Sequence, residues 1–387
     1  MKLDCRLLIV LILVASGSFS NICDAQTARN SLESLVVESA ALKEKRLIYV
    51  SKPLGYANSE ERYSVVYVLD GESSIDYTKA VAEMLYQSGF PKLIVVAIPN
   101  TIRGRDLTPS AWREAQDGGG AENFLRFIKQ ELIPVIDKKY RTDNYRVLIG
   151  HSLGGLFATY ALVKETQLFN ALIAISPSVF YNDFSVMNQV EDLFEHYQSD
   201  SALTRLPEFH FAMGHEPGEE GDGILKMHQY FKQSAPAQMN WAFEYYPKEN
   251  HTTVPLVATL DGLRFAFRDF NVPESIMDKG LDGLRKYFTK VSKKFGKNIL
   301  VPQRVLMNLS DSQWSSGKHE DAILTARYYA EIYPDMIIPY DYLSDYYLRL
   351  GQIDRAIIET QNMLKVLPGF QHAEQKLKRL NEMKSKQ

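Results

Sequence analysis

Short apolar runs alternate with helix-period segments through the first two-thirds of the chain. Residues 46–51, 63–69, 93–98, 147–149, 171–175, 209–213 and 242–246 form such runs. Several are apolar on both faces, as the central strands of a sheet covered by helices on each side must be. Between them, apolar positions recur at helical spacing over 121–139, 153–163, 223–233 and 256–267. This alternation predicts an α/β fold with a mostly parallel sheet. Pro53 and Gly55 follow the first run, which places an antiparallel hairpin at the N-terminal end of the domain.

After Asn271 the period changes. Gly317 and Gly351, Ala322 and Ala356, and Pro334 and Pro368 are each 34 residues apart. That period is the signature of tetratricopeptide helix–turn–helix units, so the remainder of the chain is expected to be all-α, with repeats at 310–343 and 344–377. Two repeats do not bury a continuous core by themselves, and residues 275–295 are expected to pack on them as a cap or bridge. The expected organisation is a leader at 1–25, an α/β domain at 26–271 and a helical domain at 272–387.

One segment carries the chemistry. Val147-Leu148-Ile149 reads as a buried strand, Gly150-His151-Ser152-Leu153-Gly154 matches G-x-S-x-G, and an apolar helix follows. In a nucleophile elbow of this type the serine occupies a strained turn, and the glycines two residues either side let strand and helix pass closely. Ser152 is therefore the expected nucleophile, with the N-terminus of the following helix aimed at a developing oxyanion.

A serine hydroxyl needs a general base. In the strand–turn–helix arrangement of G-x-S-x-G enzymes the order is serine, acid, histidine. His251 lies in the loop after run 242–246 and is the expected base. The acid is sought in Gly214–Asp222, after run 209–213. Glu216 is first choice, with Glu219, Glu220 and Asp222 open. His151, inside the elbow, is expected to pack or hydrogen-bond beneath the turn, and His210 to lie in the core. The oxyanion donors are expected to be the backbone N–H of Leu153 and that of Gly71 or Glu72, after run 63–69. Arg103 and Arg105 follow run 93–98 and are placed at the rim, where they would hold an anionic substrate group; a salt bridge with Asp106 is the competing reading for the pair. Ser176, Ser178, Phe180 and Tyr181 follow run 171–175 as candidate pocket lining.

Taken in order, the blocks YSVVYVLDGE, IPNTIRGRDLTPS, AENFLRFIKQELIPVIDKKYRT, VLIGHSLGGL, ISPSVFYND and ENHTTVPL resemble a group of α/β-hydrolases over residues 46–270. That group includes enterochelin (ferric siderophore) esterases, feruloyl and acetylxylan esterases and mycolyl-transferring proteins. The resemblance implies an α/β-hydrolase fold and a serine esterase with Ser152 as nucleophile and His251 as base. It carries the acid over less well, since relatives place either a Gly-x-Glu-like or a Gly-x-x-Asp-like loop there. A helical-repeat extension is similar to that of bacterial secreted esterases of the group.

The N-terminus starts with Lys2 and Arg6, continues with an apolar run from Leu7 to Ala15, and offers Cys23-Asp24-Ala25 before Gln26. This pattern is that of a secretory signal peptide and points to a periplasmic or secreted protein. Both cysteines, Cys5 and Cys23, fall in the leader, so no disulfide or cysteine metal site is expected after cleavage. The net charge of −3, without a basic tract, argues against nucleic acid as a partner. No cofactor or metal is expected. The expected substrate is a small ester, with a protein partner conceivable through the repeats. The rival readings are acyl transfer with the same triad, and an inactive hydrolase scaffold that binds a partner.

Overall fold

The computed structural model describes residues 32–113, 116–199 and 206–386. The expected leader at 1–25 and its cleavage site lie outside the described residues. The described chain falls into two compact units, one ending at Arg268 and the other beginning at Asp269.

The first unit is built on one eight-stranded sheet. Its strands are β1 (Leu32–Ser39), β2 (Glu44–Ser51), β3 (Tyr63–Leu69), β4 (Leu93–Ile98), β5 (Thr142–His151), β6 (Ala171–Ile175), β7 (Glu208–Gly214) and β8 (Trp241–Tyr246). They lie in the order β1-β2-β4-β3-β5-β6-β7-β8. From β4 to β8 every pair is parallel, while β1 and β2 run antiparallel at one edge. All seven residues of β3 and of β7 are buried, as are all of β4 and β6, which is what two covered faces require. The expected hairpin exists, but residues 46–51 pair with the preceding strand β1, from Leu32↔Ser51 to Ser39↔Glu44, and the segment after Pro53 is not its partner.

Seven helices of this unit concern the site or its supports. They are α1 (Gly71–Gln87), the short α2 (Arg103–Leu107), α3 (Ala121–Phe127 and Ile133–Lys139, joined by a π-helical turn), α4 (Leu153–Lys164), α5 (Tyr181–Ser199), α6 (Glu219–Ser234) and α7 (Val254–Ala266). The chain order reverses beside β3, with β4 on one flank and β5 on the other. In such sheets the crevice beyond the carboxyl ends of the strands at the reversal is where ligands bind. The loops that leave β3, β4, β5, β6, β7 and β8 at that end carry Asp70, Arg103, Ser152, Ser176, Glu216 and His251.

The second unit is helical: α8 (Gly280–Phe295), α9 (Gln303–Ser315), α10 (His319–Ile332), α11 (Ile338–Arg349), α12 (Ile353–Val366) and α13 (Gln371–Lys384). Positions 34 residues apart occupy equivalent places. Ser310 Oγ donates to the Ala322 carbonyl at 3.1 Å, and Ser344 Oγ to that of Ala356 at 3.1 Å. Gly317 and Gly351 turn with φ of 81° and 72°, where a Cβ would be strained. Ala322 and Ala356 are both fully buried where the paired helices approach. Helix α8 packs on α10, with the Arg285 guanidinium over the Tyr328 ring.

Candidate active site

Helix α4 starts from a forced turn. Ser152 has φ 59° and ψ −118°, a conformation that L-residues adopt only when their surroundings over-determine it. Its N–H donates to the Ile175 carbonyl (2.9 Å), and its own carbonyl accepts from Leu156 (2.9 Å) and Ser178 (3.2 Å). The turn has no space for a side chain at 150, where a Cβ would stand 2.0 Å from the Gly154 carbonyl oxygen. Ser178 Oγ lies 3.5 Å from Ser152 Oγ.

His251 follows β8 and has its ring 4.5 Å, centroid to centroid, from that of His151, the residue before the serine. Its Nδ1 is 3.1 Å from Glu216 Oε2. Glu216 is positioned by its other oxygen, which accepts from the Gly214 N–H (3.1 Å) and from Ser176 Oγ. Ser176 itself holds φ 42° and is fully buried at the end of β6. The loops after β6, β7 and β8 thus converge on one imidazole–carboxylate pair, with the Ser152 turn against its flank.

Burial pushes the Glu216 carboxyl up, but the hydrogen bonds from His251, Ser176 and Gly214 outweigh it and hold the group below its ordinary range. The Glu216 hydrogen bond raises His251 above its usual value, against the opposing effect of burial, with the charges of Glu220 and Glu216 adding to the rise. His151 is pushed down to about 4 by burial and by the neighbouring His251. Its Nε2 is buried with no hydrogen-bond partner among the described residues. His151 packs its ring against that of His251, the two planes tilted by 45°.

Of the other acids, Glu219 turns away to Arg113, with contacts of 2.8 and 3.1 Å. Asp222 lies in the first turn of α6 and is exposed. Glu220 comes within 3.5 Å of His251 Nδ1. Glu216, Glu220 and His251 place one donor atom each within 4.8 Å of one another. Glu216 makes the hydrogen bond to Nδ1, and Glu220 stands beside it at ion-pair distance.

The amides of Leu153, Gly71 and Glu72 lie in the first turns of α4 and α1, where a helix has no internal acceptor for its N–H groups. Gly71 approaches β4 so closely that a Cβ would stand 2.7 Å from the Ile98 backbone. The Glu72 carboxylate accepts from Asn100 N (3.1 Å) and Nδ2 (2.9 Å), tying the β3 and β4 loops together.

Arg103 and Arg105 part company. Arg103 grips Asp70 with Nε (2.6 Å) and Nη2 (3.0 Å) and donates to the His151 carbonyl (3.2 Å), which joins the β3 loop to the elbow. Arg105 is committed elsewhere: Nε goes to Asp106 (2.7 Å), and Nη1 and Nη2 to Glu44 (3.1 and 2.7 Å). The buried Arg46 completes that cluster through Asp106 and the Pro99 carbonyl (2.9 Å). The salt bridge with Asp106 that competed with a substrate role is present, and the Arg105 guanidinium anchors α2 to strand β2. Sequence reasoning placed Ser176 among pocket-lining residues and did not see that it orients the acid. It attached no role to Asp70, although Asp70 directly precedes the expected oxyanion residues.

A doubly flanked, mostly parallel sheet with a strained serine after its fifth strand and a histidine after its last is an α/β-hydrolase. Residues 39–215 match the family described as Putative esterase. It is 28% identical over 246 residues to the ferri-bacillibactin esterase BesA of Bacillus subtilis, covering 57% of this chain and 83% of that protein. It is 25% identical over 277 residues to a siderophore triacetylfusarinine C esterase of Aspergillus fumigatus, covering 60% and 92%. Among solved structures, an IroE-like serine hydrolase from Shewanella oneidensis superposes with a TM-score of 0.66 at 29% identity, covering 78% of this chain and all of that one. These likenesses support a hydrolase that acts on esters.

Proposed function

We propose that the protein is an exported serine esterase that cleaves carboxylic esters through an acyl-serine intermediate, and that its substrates are ester-linked siderophores. The observation that carries this reading is the His251–Glu216 pair at 3.1 Å, packed against the ring of the residue that precedes Ser152. Ser152 Oγ attacks the ester carbonyl carbon while His251 Nε2 takes its proton. Glu216 accepts from Nδ1–H, which fixes the tautomer and stabilises the imidazolium. The oxyanion that forms is held by the Leu153 N–H and by that of Gly71 or Glu72, each such donor being worth about 3 kcal/mol. His251 then returns the proton to the departing alcohol. Water, deprotonated by the same imidazole, releases the acid and regenerates Ser152.

The siderophore reading is supported by BesA and the triacetylfusarinine C esterase, both of which act on siderophores by name. Export is supported by the leader pattern at 1–25. A tetratricopeptide assignment for the second unit is supported by the equivalence of Ser310 with Ser344 and of Ala322 with Ala356.

Treatment with a fluorophosphonate followed by peptide mass spectrometry tests the mechanism, with the adduct expected on Ser152. An unlabelled Ser152 in folded protein would overturn it. A panel of cyclic siderophore triesters, feruloyl esters and acetyl esters tests the substrate. The highest kcat/KM is expected for the siderophores, and a preference for either of the others would replace that part of the reading.

A further inference from the structure

His251 faces two carboxylates. Its Nδ1 is 3.1 Å from Glu216 Oε2 and 3.5 Å from Glu220 Oε1. One N–H needs one acceptor, so the second carboxylate calls for an explanation.

The loop brings it there by construction. A Cβ at Gly221 would stand 1.8 Å from the Glu216 carbonyl oxygen, so the turn closes this tightly only with glycine at that position. Gly218, at φ 91°, reverses the chain between the two acids. Glu219 pairs with Arg113 at the surface, while Glu220, also in the first turn of α6, lies on the histidine side. That turn is the positive end of the helix, where a carboxylate is favoured. The two acids differ in setting: the Glu216 side chain is 4% exposed and that of Glu220 29%. Glu216 is locked by Ser176 and Gly214, whereas Glu220 has solvent at hand and room to follow the ring.

We propose that Glu220 is a second positioning residue for the base: it shares the Nδ1 proton of His251 with Glu216 and takes that proton over when Glu216 is lost. This rests on the reading of His251 as the base. The charged and titratable groups around the imidazole are Glu216 and Glu220 from the β7–α6 turn, His151 from the elbow and Arg103 from α2. Removing the negative charge of Glu220 therefore makes the imidazole easier to deprotonate.

The test is hydrolysis of p-nitrophenyl acetate by the full chain across about pH 5 to 9, comparing wild type with Glu216→Gln, Glu220→Gln, Glu220→Asp and the double Gln variant. Glu216→Gln is expected to lower kcat by ~10²-fold, short of the ~10⁴-fold cost of a mis-set imidazole tautomer, and the double variant to reach that larger loss. Glu220→Gln alone is expected to shift the ascending limb of kcat/KM to lower pH, and Glu220→Asp to return it. The limb shift of the single variant does not depend on the double variant folding. A double variant that folds and is no slower than Glu216→Gln, or a limb unmoved in Glu220→Gln, overturns the proposal and leaves the base assignment standing. Wild-type rates in His251→Ala would instead remove the base assignment on which the proposal rests.

Discussion

The turn between β5 and α4 and the turn between β7 and α6 both end a buried strand, carry glycines and open a helix, yet they hold their key side chains by opposite means. At the elbow the backbone does it. Ser152 is fixed by its own N–H on Ile175 and by its carbonyl on Leu156 and Ser178, and strand and helix meet where Gly150 has no Cβ. The strain of such a residue is of order 1–3 kcal/mol, which a closed ring of backbone hydrogen bonds can sustain. At the acid turn, side chains from separate loops do it: Ser176 from β6 orients Glu216, and Arg113 holds Glu219 aside. Ser152 is thus held by backbone hydrogen bonds, while Glu216 is oriented largely by a side chain from another loop.

The largest consequence concerns the nucleophile itself. Ser152→Ala removes a hydroxyl without touching the backbone bonds that shape the elbow. It is expected to fold with an unchanged melting temperature and to lose ~10⁶-fold in kcat on p-nitrophenyl acetate. A variant that keeps even a tenth of the wild-type rate would move the nucleophile elsewhere.

Next in size are two glycine substitutions that separate the turns. Gly150→Ala drives a Cβ into the Gly154 carbonyl at 2.0 Å, and Gly221→Ala drives one into the Glu216 carbonyl at 1.8 Å. Backbone atoms do not yield as a flexible side chain would, so each is expected to cost more than ~2 kcal/mol in thermal or denaturant unfolding. The activities should diverge. Gly150→Ala deforms the elbow and is expected to abolish fluorophosphonate labelling. Gly221→Ala spreads the acid turn and is expected to keep the label with a slower rate of its formation. Equal loss of labelling in both would erase the distinction between a backbone-held and a side-chain-held residue.

The same contrast explains what could be read from the chain. The elbow was legible because its signal lies within a few residues: an apolar strand, two glycines and an apolar helix. The inner strands were legible because they are buried on both faces and need no alternation. Strand β1 was not, since it is an edge whose Leu32 and Val36 face solvent, which leaves a weak apolar pattern. The acid was narrowed to a loop but not fixed from sequence. Four carboxylates sit within seven residues, and the choice is made by Ser176 and Gly221 through contacts that no local pattern encodes. Arg103 and Arg105 lie two apart on a helical turn and so face different sides, one toward Asp70 and the elbow, the other toward Glu44. Their shared spacing from β4 concealed that difference.

The gentlest probe of the comparison is electrostatic, because the acid turn and the arginine that braces the elbow act on His251 with opposite sign. The acid turn raises its proton affinity, first through the Glu216 hydrogen bond and then through the charges of Glu220 and Glu216, while burial and Arg103 of α2, which holds the His151 carbonyl on the elbow side, lower it; the balance lies above the ordinary 6.5. A general base works neutral, so kcat/KM is expected to rise with pH through a single limb placed above 6.5. His151, near 4, is neutral throughout that range and adds no second limb. The stability terms have matching signs. The contribution of His251 is complete below its ordinary value and fades as pH rises through the raised one, and that of Glu216 is present above the ordinary carboxylate range and is lost as pH falls through its lowered value. Arg103→Gln deletes a positive charge near the imidazole and leaves Asp70 uncompensated, and both changes favour the imidazolium. The limb in that variant is expected at higher pH than in wild type, by kcat/KM on p-nitrophenyl acetate. A limb that holds still or moves to lower pH would mean that the elbow side exerts no field on the base and supplies the nucleophile alone.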